Sequence, residues 1–90
     1  MGKIFASRLR GLRVLTDRGL RVGQIHDMLV DEASGKIRAV LVRPESKEVA
    51  KNLPTDESGN IMIPFNAVTA IRDFVVVNER SLAVQQLKAR

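Results

Sequence analysis

No pair of side chains in this sequence stands out as competent for acid–base, nucleophilic or metal chemistry. His26 is the only histidine, and the chain has no cysteine. A structural zinc site needs about four nitrogen or sulfur ligands, so one imidazole without thiolates cannot form it. We therefore predict that His26 is an exposed strand residue, and that the chain has no catalytic residue, no metal site and no cofactor.

A small acidic cluster follows His26 and is the second feature that could bind a cation. Asp27, Asp31 and Glu32 are close in sequence, but they lack the dense oxygen spacing of a calcium-binding EF-hand loop. The cluster leads into Gly35, and aspartate and glycine together favour tight turns. We interpret these acidic residues as turn-forming and solvated, not as a metal site.

The net charge of +5 is concentrated at the start of the chain. Positions 1–21 hold six basic residues and one acidic residue, whereas the charges of positions 22–90 balance. The candidate basic contact face consists of Arg8, Arg10, Arg13, Arg18 and Arg21. Arginines can bind phosphates, but RNA and single-strand binders usually add aromatic residues, and this chain has no Trp or Tyr. We favour an exposed basic face, or one that meets an acidic protein, over specific nucleic-acid binding.

The elements that must position these residues are predicted to be short β-strands. Runs of Val, Ile and Leu are separated by Gly, Asp, Asn, Ser and Pro, which is typical of an all-β domain. The predicted strands are residues 13–15, 20–31, 37–43, 61–64, 68–71 and 74–78, with Gln24–Val30 antiparallel to Ile37–Arg43. Gly19 and Gly35 are predicted turns, and Gly23 a bulge or a close approach of two backbones.

Ninety residues make one domain, here residues 1–80, followed by a tail or short helix in residues 81–90. Ser81 is the predicted N-cap of that helix. The N-terminus lacks the apolar run of a signal peptide, and no run approaches the ~20 apolar residues of a membrane-spanning helix. Together with the absence of cysteine, this predicts a cytoplasmic protein.

Several of the predicted strands are apolar on both faces. In residues 37–43, Ile37, Ala39 and Leu41 share one face, and Val40 and Val42 share the other. A strand with one face in water would alternate apolar and polar residues. We predict that one face lines a small barrel and that the other is covered, either by a partner or by the chain's own tail and loops. The candidates for the covered outer face are Met28, Val30, Val40 and Val42.

Two blocks of this sequence resemble the PRC-barrel family. Residues 22–27, VGQIHD, follow a glycine turn and lead to Asp31 and Gly35, similar to the family's VGxVxD strand and its hairpin. Residues 63–71, IPFNAVTAI, are similar to the family's closing IPFxxVxxI block. The ordered set covers residues 6–79 and looks most like the free-standing archaeal members.

The resemblance implies a small β-barrel of about six antiparallel strands with a short C-terminal helix. Some archaeal members act in cell division as adaptors that bind the SepF-type membrane anchor of the FtsZ ring, often as dimers. It therefore implies a non-enzymatic adaptor that forms a homodimer or pairs with a paralogue. Such an adaptor would be recruited to the division site and reach the membrane only through its partner. The alternative is an accessory of RNA processing or ribosome maturation, like the barrel domain of RimM.

Overall fold

The computed structural model describes residues 6–51 and 53–82. Its strands are β1 (Arg13–Thr16), β2 (Arg21–Val30), β3 (Ile37–Pro44), β4 (Ile61–Pro64), β5 (Val68–Ile71) and β6 (Phe74–Val77). Its helical turns are α1 (Ala6–Leu9), α2 (Lys47–Ala50), a 3-10 turn (Phe65–Ala67) and α3 (residues 79–82). The sequence predicted each of the six strands, and the mostly-β fold class is confirmed.

The six strands form one sheet in the order β4-β3-β2-β1-β6-β5. Neighbouring strands are antiparallel except for β1 and β6, which are parallel. Within the described residues no ladder joins β4 to β5, so these two strands are the edges. The number of strands agrees with the prediction. The strands are not all antiparallel, however: β1 and β6 are parallel, so the sheet is mixed, and no described ladder closes it.

The parallel pair follows from the way the chain leaves β4. The 3-10 turn Phe65–Ala67 carries the chain from β4 to β5 without reversing its direction. The chain then reverses through Arg72 and Asp73 into β6, where Arg72 N donates to Phe74 O at 2.8 Å. Because β4 and β5 both run opposite to β1, the strand that turns back from β5 must run parallel to β1.

One apolar core fills the inner face of the sheet. Its members are Leu9, Val14, Val22, Ile25, Val40, Val42, Ile61, Ile63, Ala67, Val75, Val77 and Leu82. Val40 and Val42 lie opposite Ile63 and Ile61 on β4. Their predicted place on the outer face is therefore wrong. Both alternating sets of residues in β3 are apolar, so the pattern separates the two faces without saying which one points inward.

The C-terminal helical turn begins earlier than predicted. Asn78 Oδ1 accepts a hydrogen bond from Ser81 N at 2.9 Å. A side-chain oxygen that accepts from an amide three residues later is the usual N-cap, so Asn78, not Ser81, caps α3. Leu82 then enters the core. Residues 83–90, where the rest of the predicted helix falls, lie outside the described residues.

Gly23 lies where β2 passes against the backbone of β3. It is buried, and a Cβ built on it would be 1.8 Å from the carbonyl oxygen of Arg43. Since backbone atoms cannot move aside cheaply, no side chain fits at this position. The predicted close approach is confirmed, and Gly19 and Gly35 occupy turns with positive φ, as predicted.

Replacing Gly23 by Ala is expected to lower the free energy of unfolding by about 3 kcal/mol, because the new Cβ must displace the Arg43 backbone. Gly19→Ala is the matched control. Its Cβ meets no atom within 4 Å, so the substitution carries only the left-handed backbone cost of about 1–2 kcal/mol. Urea unfolding followed by circular dichroism measures both, and equal losses would contradict the close approach.

Candidate interaction surfaces

A groove of about 620 Å³ crosses the outer face of the sheet. Arg13 on β1, Gln24 on β2 and Arg43 on β3 are directly opposite one another, and Phe74 on β6 continues the row. Residues paired across neighbouring strands point to the same face, so these four side chains project together. We call this surface the arginine groove; its principal residues are Arg13, Arg21, Gln24, Arg43 and Phe74.

The three arginines of this groove form no ion pair within residues 6–51 and 53–82, although Glu45 and Asp73 also line the groove. The ion pairs of that part of the chain are Arg10–Asp27 at 3.1 Å, Arg18–Glu79 at 4.0 Å and Arg38–Asp31 at 3.8 Å. Arg43 Nη2 does lie 3.4 Å from His26 Nδ1, a contact with a ring nitrogen and not with a carboxylate. With three arginines against the carboxylates of Glu45 and Asp73, the groove carries a net positive charge.

The structure divides the five predicted arginines among several places. Arg13 and Arg21 line the groove, while Arg10 lines a smaller hollow beside it. Arg18 turns toward Glu79, and Arg8 is exposed on α1. All five are exposed, but they do not form one continuous face.

Sequence reasoning missed Arg43 and Gln24 as members of the arginine groove. The available signal was the predicted pairing of Gln24–Val30 with Ile37–Arg43. In the structure that pairing sets Gln24 directly opposite Arg43. The strand pairing, and not the local clustering of arginines in sequence, is what identifies the site.

A second surface lies on the outer face of β2, β3 and β4. Leu29, Ala39 and Pro64 form one row across these strands, and Leu41 and Met62 are opposite each other in the next row. Leu29 is 42% exposed and the other four are half-buried. None belongs to the core or to the apolar side chains packed against it. We call these five residues the outer apolar patch.

The four residues predicted for the covered outer face do not come together there. Val40 and Val42 are in the core, and Met28 is half-buried against it. Val30 is 47% exposed, at the end of β2. The residues of β2 and β3 that do share the outer face are Leu29, Ala39 and Leu41, which are sequence neighbours of the predicted four.

The acidic residues near His26 stabilise local structure. Asp31 Oδ1 accepts hydrogen bonds from Ala33 N at 2.9 Å and Ser34 N at 3.4 Å, which confirms its predicted role in the turn. Asp27 Oδ1 accepts from Met28 N at 2.8 Å and from Arg10 Nη2 at 3.1 Å. Across residues 6–51 and 53–82, no three acidic or histidine side chains gather to hold a metal ion. No helix in the same ranges is long and apolar enough to cross a bilayer.

A family model for the PRC-barrel domain matches residues 1–84. The chain belongs to the PRC-barrel family. This confirms the resemblance seen in the sequence, and the mixed six-stranded sheet is the form that the fold takes in this member.

Two comparisons place this PRC-barrel chain among known proteins. It is 31% identical over 84 residues to an uncharacterized protein of Methanocaldococcus jannaschii, covering 91% of this chain and 89% of that protein. It is similar to a solved structure of RimM from Pseudomonas aeruginosa, a protein assigned to 16S ribosomal RNA processing, with a TM-score of 0.59 and 17% identity. That similarity covers 87% of this chain but 44% of RimM, and it shows the fold alone. The archaeal relative agrees with the resemblance to archaeal members.

Two carboxylates of this PRC-barrel domain have pKa values below the ordinary 3.8. For Asp27 the main cause is the hydrogen bond from Met28 N, which outweighs desolvation and is supported by Arg10. For Asp56 the main cause is the hydrogen bond from Asn60 N. A hydrogen bond to the charged form lowers a carboxyl pKa.

The stability of the domain is therefore expected to fall in acid. Because both pKa values are depressed in the folded state, their contribution is complete above the unfolded-state value of 3.8 and is lost as the pH falls through the folded-state values. Thermal unfolding from about pH 5 to pH 2 measures the loss, and NMR titration assigns it. An Asp27 or Asp56 resonance that titrates at or above 3.8 would contradict this account.

Proposed function

We propose that this PRC-barrel domain is a non-enzymatic interaction module that binds another protein through the outer apolar patch. The observation that carries the proposal is the double row of Leu29, Ala39 and Pro64 beside Leu41 and Met62. Contiguous apolar surface outside a core commonly marks an interface, because its burial removes apolar area from water. Binding through this patch requires no catalytic residue.

The occupant that we propose for the outer apolar patch is a second copy of the chain or a close paralogue. Cyclic dimers place the same patch of both subunits in contact, which suits a surface made of self-complementary apolar rows. Charged residues at the rim set the orientation of such an interface. Asp27 on β2 lies opposite Leu41 and pairs with Arg10, so the patch has a charged rim on that side.

The finer proposal is a role in archaeal cell division. The dimer would link the SepF-type membrane anchor of the FtsZ ring to other division proteins at the division site, and it would reach the membrane through that anchor. What supports this proposal is the resemblance of the sequence to archaeal members, together with the relative from Methanocaldococcus jannaschii.

A second candidate function is an accessory role in RNA processing or ribosome maturation. The similarity in fold to RimM favours it, and the unpaired arginines of the arginine groove offer contacts for phosphates. A fold by itself does not fix a function, so this candidate depends on those arginines.

An affinity pull-down from native lysate, with and without nuclease, separates the two candidates. If the adaptor proposal is right, we expect the SepF-type anchor or FtsZ to be recovered equally in both conditions. Ribosomal proteins that disappear after nuclease treatment would instead favour the RNA-processing role.

The dimer proposal predicts the effect of substitutions in the outer apolar patch. The double variant Leu29→Gln/Leu41→Gln is expected to remain folded and to sediment as a monomer at concentrations where the original chain is a dimer. The reason is that polar groups would have to be desolvated in the interface. Analytical ultracentrifugation measures the change.

Val42→Ala is the matched control, because Val42 lies beside Leu41 but points into the core. It is expected to lower the free energy of unfolding by about 2 kcal/mol through lost burial and a cavity. The dimer should persist below its unfolding transition. A chain that is monomeric before any substitution, or a Leu29→Gln/Leu41→Gln variant that still dimerises, would contradict the proposed interface.

A further inference from the structure

The arginine groove differs in chemistry from the outer apolar patch. Arg13, Arg21 and Arg43 line it together, each exposed, and within the described ranges none forms an ion pair. Arg10, Arg18 and Arg38, by contrast, each form an ion pair with a carboxylate. A cleft with an excess of positive charge attracts an anionic ligand.

The distance between Arg13 and Arg43 indicates how far apart the negative charges of such a ligand must be. Arg13 and Arg43 are two strands apart, since both pair directly with Gln24, which corresponds to about 10 Å between their backbones. An extended peptide rises ~3.3 Å per residue and points every second side chain to the same side. Carboxylates two or four residues apart, about 7 or 13 Å along the peptide, therefore bracket this distance and can reach both arginines. Each guanidinium can bind a carboxylate through two parallel N–H donors.

The apolar and acidic side chains that also line the groove indicate which class of anionic ligand fits it. Phe74 is 40% exposed, and with Leu15 it offers contact for one apolar side chain. Glu45 and Asp73 also line the groove. A long polyanion such as RNA would have to pass these carboxylates, and it would find one aromatic ring instead of a series for stacking bases. A short segment with two or three acidic residues can place those charges at the arginines and uncharged residues beside Glu45 and Asp73. Its one apolar residue can contact Phe74.

We infer that the arginine groove is a binding site for a short, extended, acidic segment of a partner protein. Arg13 and Arg43 bind its carboxylates, Gln24 hydrogen-bonds between them, and Phe74 contacts its apolar residue. This site goes beyond the proposed dimer, because it lies outside the outer apolar patch and recognises charge instead of apolar surface. One protein can therefore use the two surfaces for two different partners.

Fluorescence anisotropy with a labelled peptide tests the site. The probe is an extended peptide of about ten residues in which Glu and Ser alternate around a central Leu. The full chain is expected to bind it, and a peptide with Gln in place of Glu is expected not to bind. The double variant Arg13→Gln/Arg43→Gln should weaken binding at least about tenfold, because both charge-assisted contacts are lost.

The matched control is Arg18→Gln/Arg38→Gln, which removes the same charge at sites outside the groove. It is expected to change the affinity less than about twofold, because salt screens exposed charges that do not contact the peptide. Gln24→Glu adds a negative charge to the row without removing an arginine and should also weaken binding. The neutral Leu29→Gln/Leu41→Gln variant should bind normally, so failure of the dimer and failure of this site are distinguishable.

Three results would overturn the inference. The first is absence of binding by the acidic peptide. The second is equal weakening by the two double-arginine variants, which would indicate a general effect of net charge. The third is a single-stranded RNA that binds more tightly than the peptide at the same salt concentration and loses affinity with Arg13→Gln/Arg43→Gln, which would assign the groove to RNA.

Discussion

The 3-10 turn Phe65–Ala67 sets the shape on which the rest of the domain depends. Such a turn advances only ~2 Å per residue, yet it joins β4 and β5, the two edges of the sheet. A flat sheet of this size would hold its edges about 24 Å apart, so the sheet must curl until the edges nearly meet. Ala67 is fully buried and its carbonyl accepts from Asn78 N at 2.8 Å, which fixes the turn against the C-terminal end of β6.

Curling gives the sheet a concave side that excludes water and a convex side that carries the two proposed interaction surfaces. β3 joins the two convex surfaces, since Ala39 and Leu41 belong to the outer apolar patch and Arg43 belongs to the arginine groove. The same strand directs Val40 and Val42 into the core. Because core residues and surface residues alternate along this strand, its inner residues fix the orientation of those on the two proposed interaction surfaces.

The sequence was sufficient for the strands, the turns and the pairing of β2 with β3, because each of these depends on local composition. It was not sufficient to decide which face of β3 points inward, since Val40 and Val42 are no more apolar than Ile37 and Leu41. It also did not show the parallel pairing of β1 with β6, which depends on the long-range path through the 3-10 turn. The arginine groove was half predicted: Arg13 and Arg21 were named from their clustering, whereas Arg43 and Phe74 reach it through pairing of distant strands.

The parallel pairing of β1 with β6 also has a kinetic consequence. It closes the longest loop in the fold, and a bond such as Asp17 Oδ1 with Glu79 N joins residues 62 positions apart. Closing so long a loop costs conformational entropy before the contacts between β1 and β6 can form. The β2–β3 hairpin can therefore form early, and the pairing of β1 with β6 forms late. Arg13 and Phe74 are opposite each other in that strand pair. An acidic segment would therefore bind only chains that have finished folding, because its binding site is complete only after β1 has paired with β6.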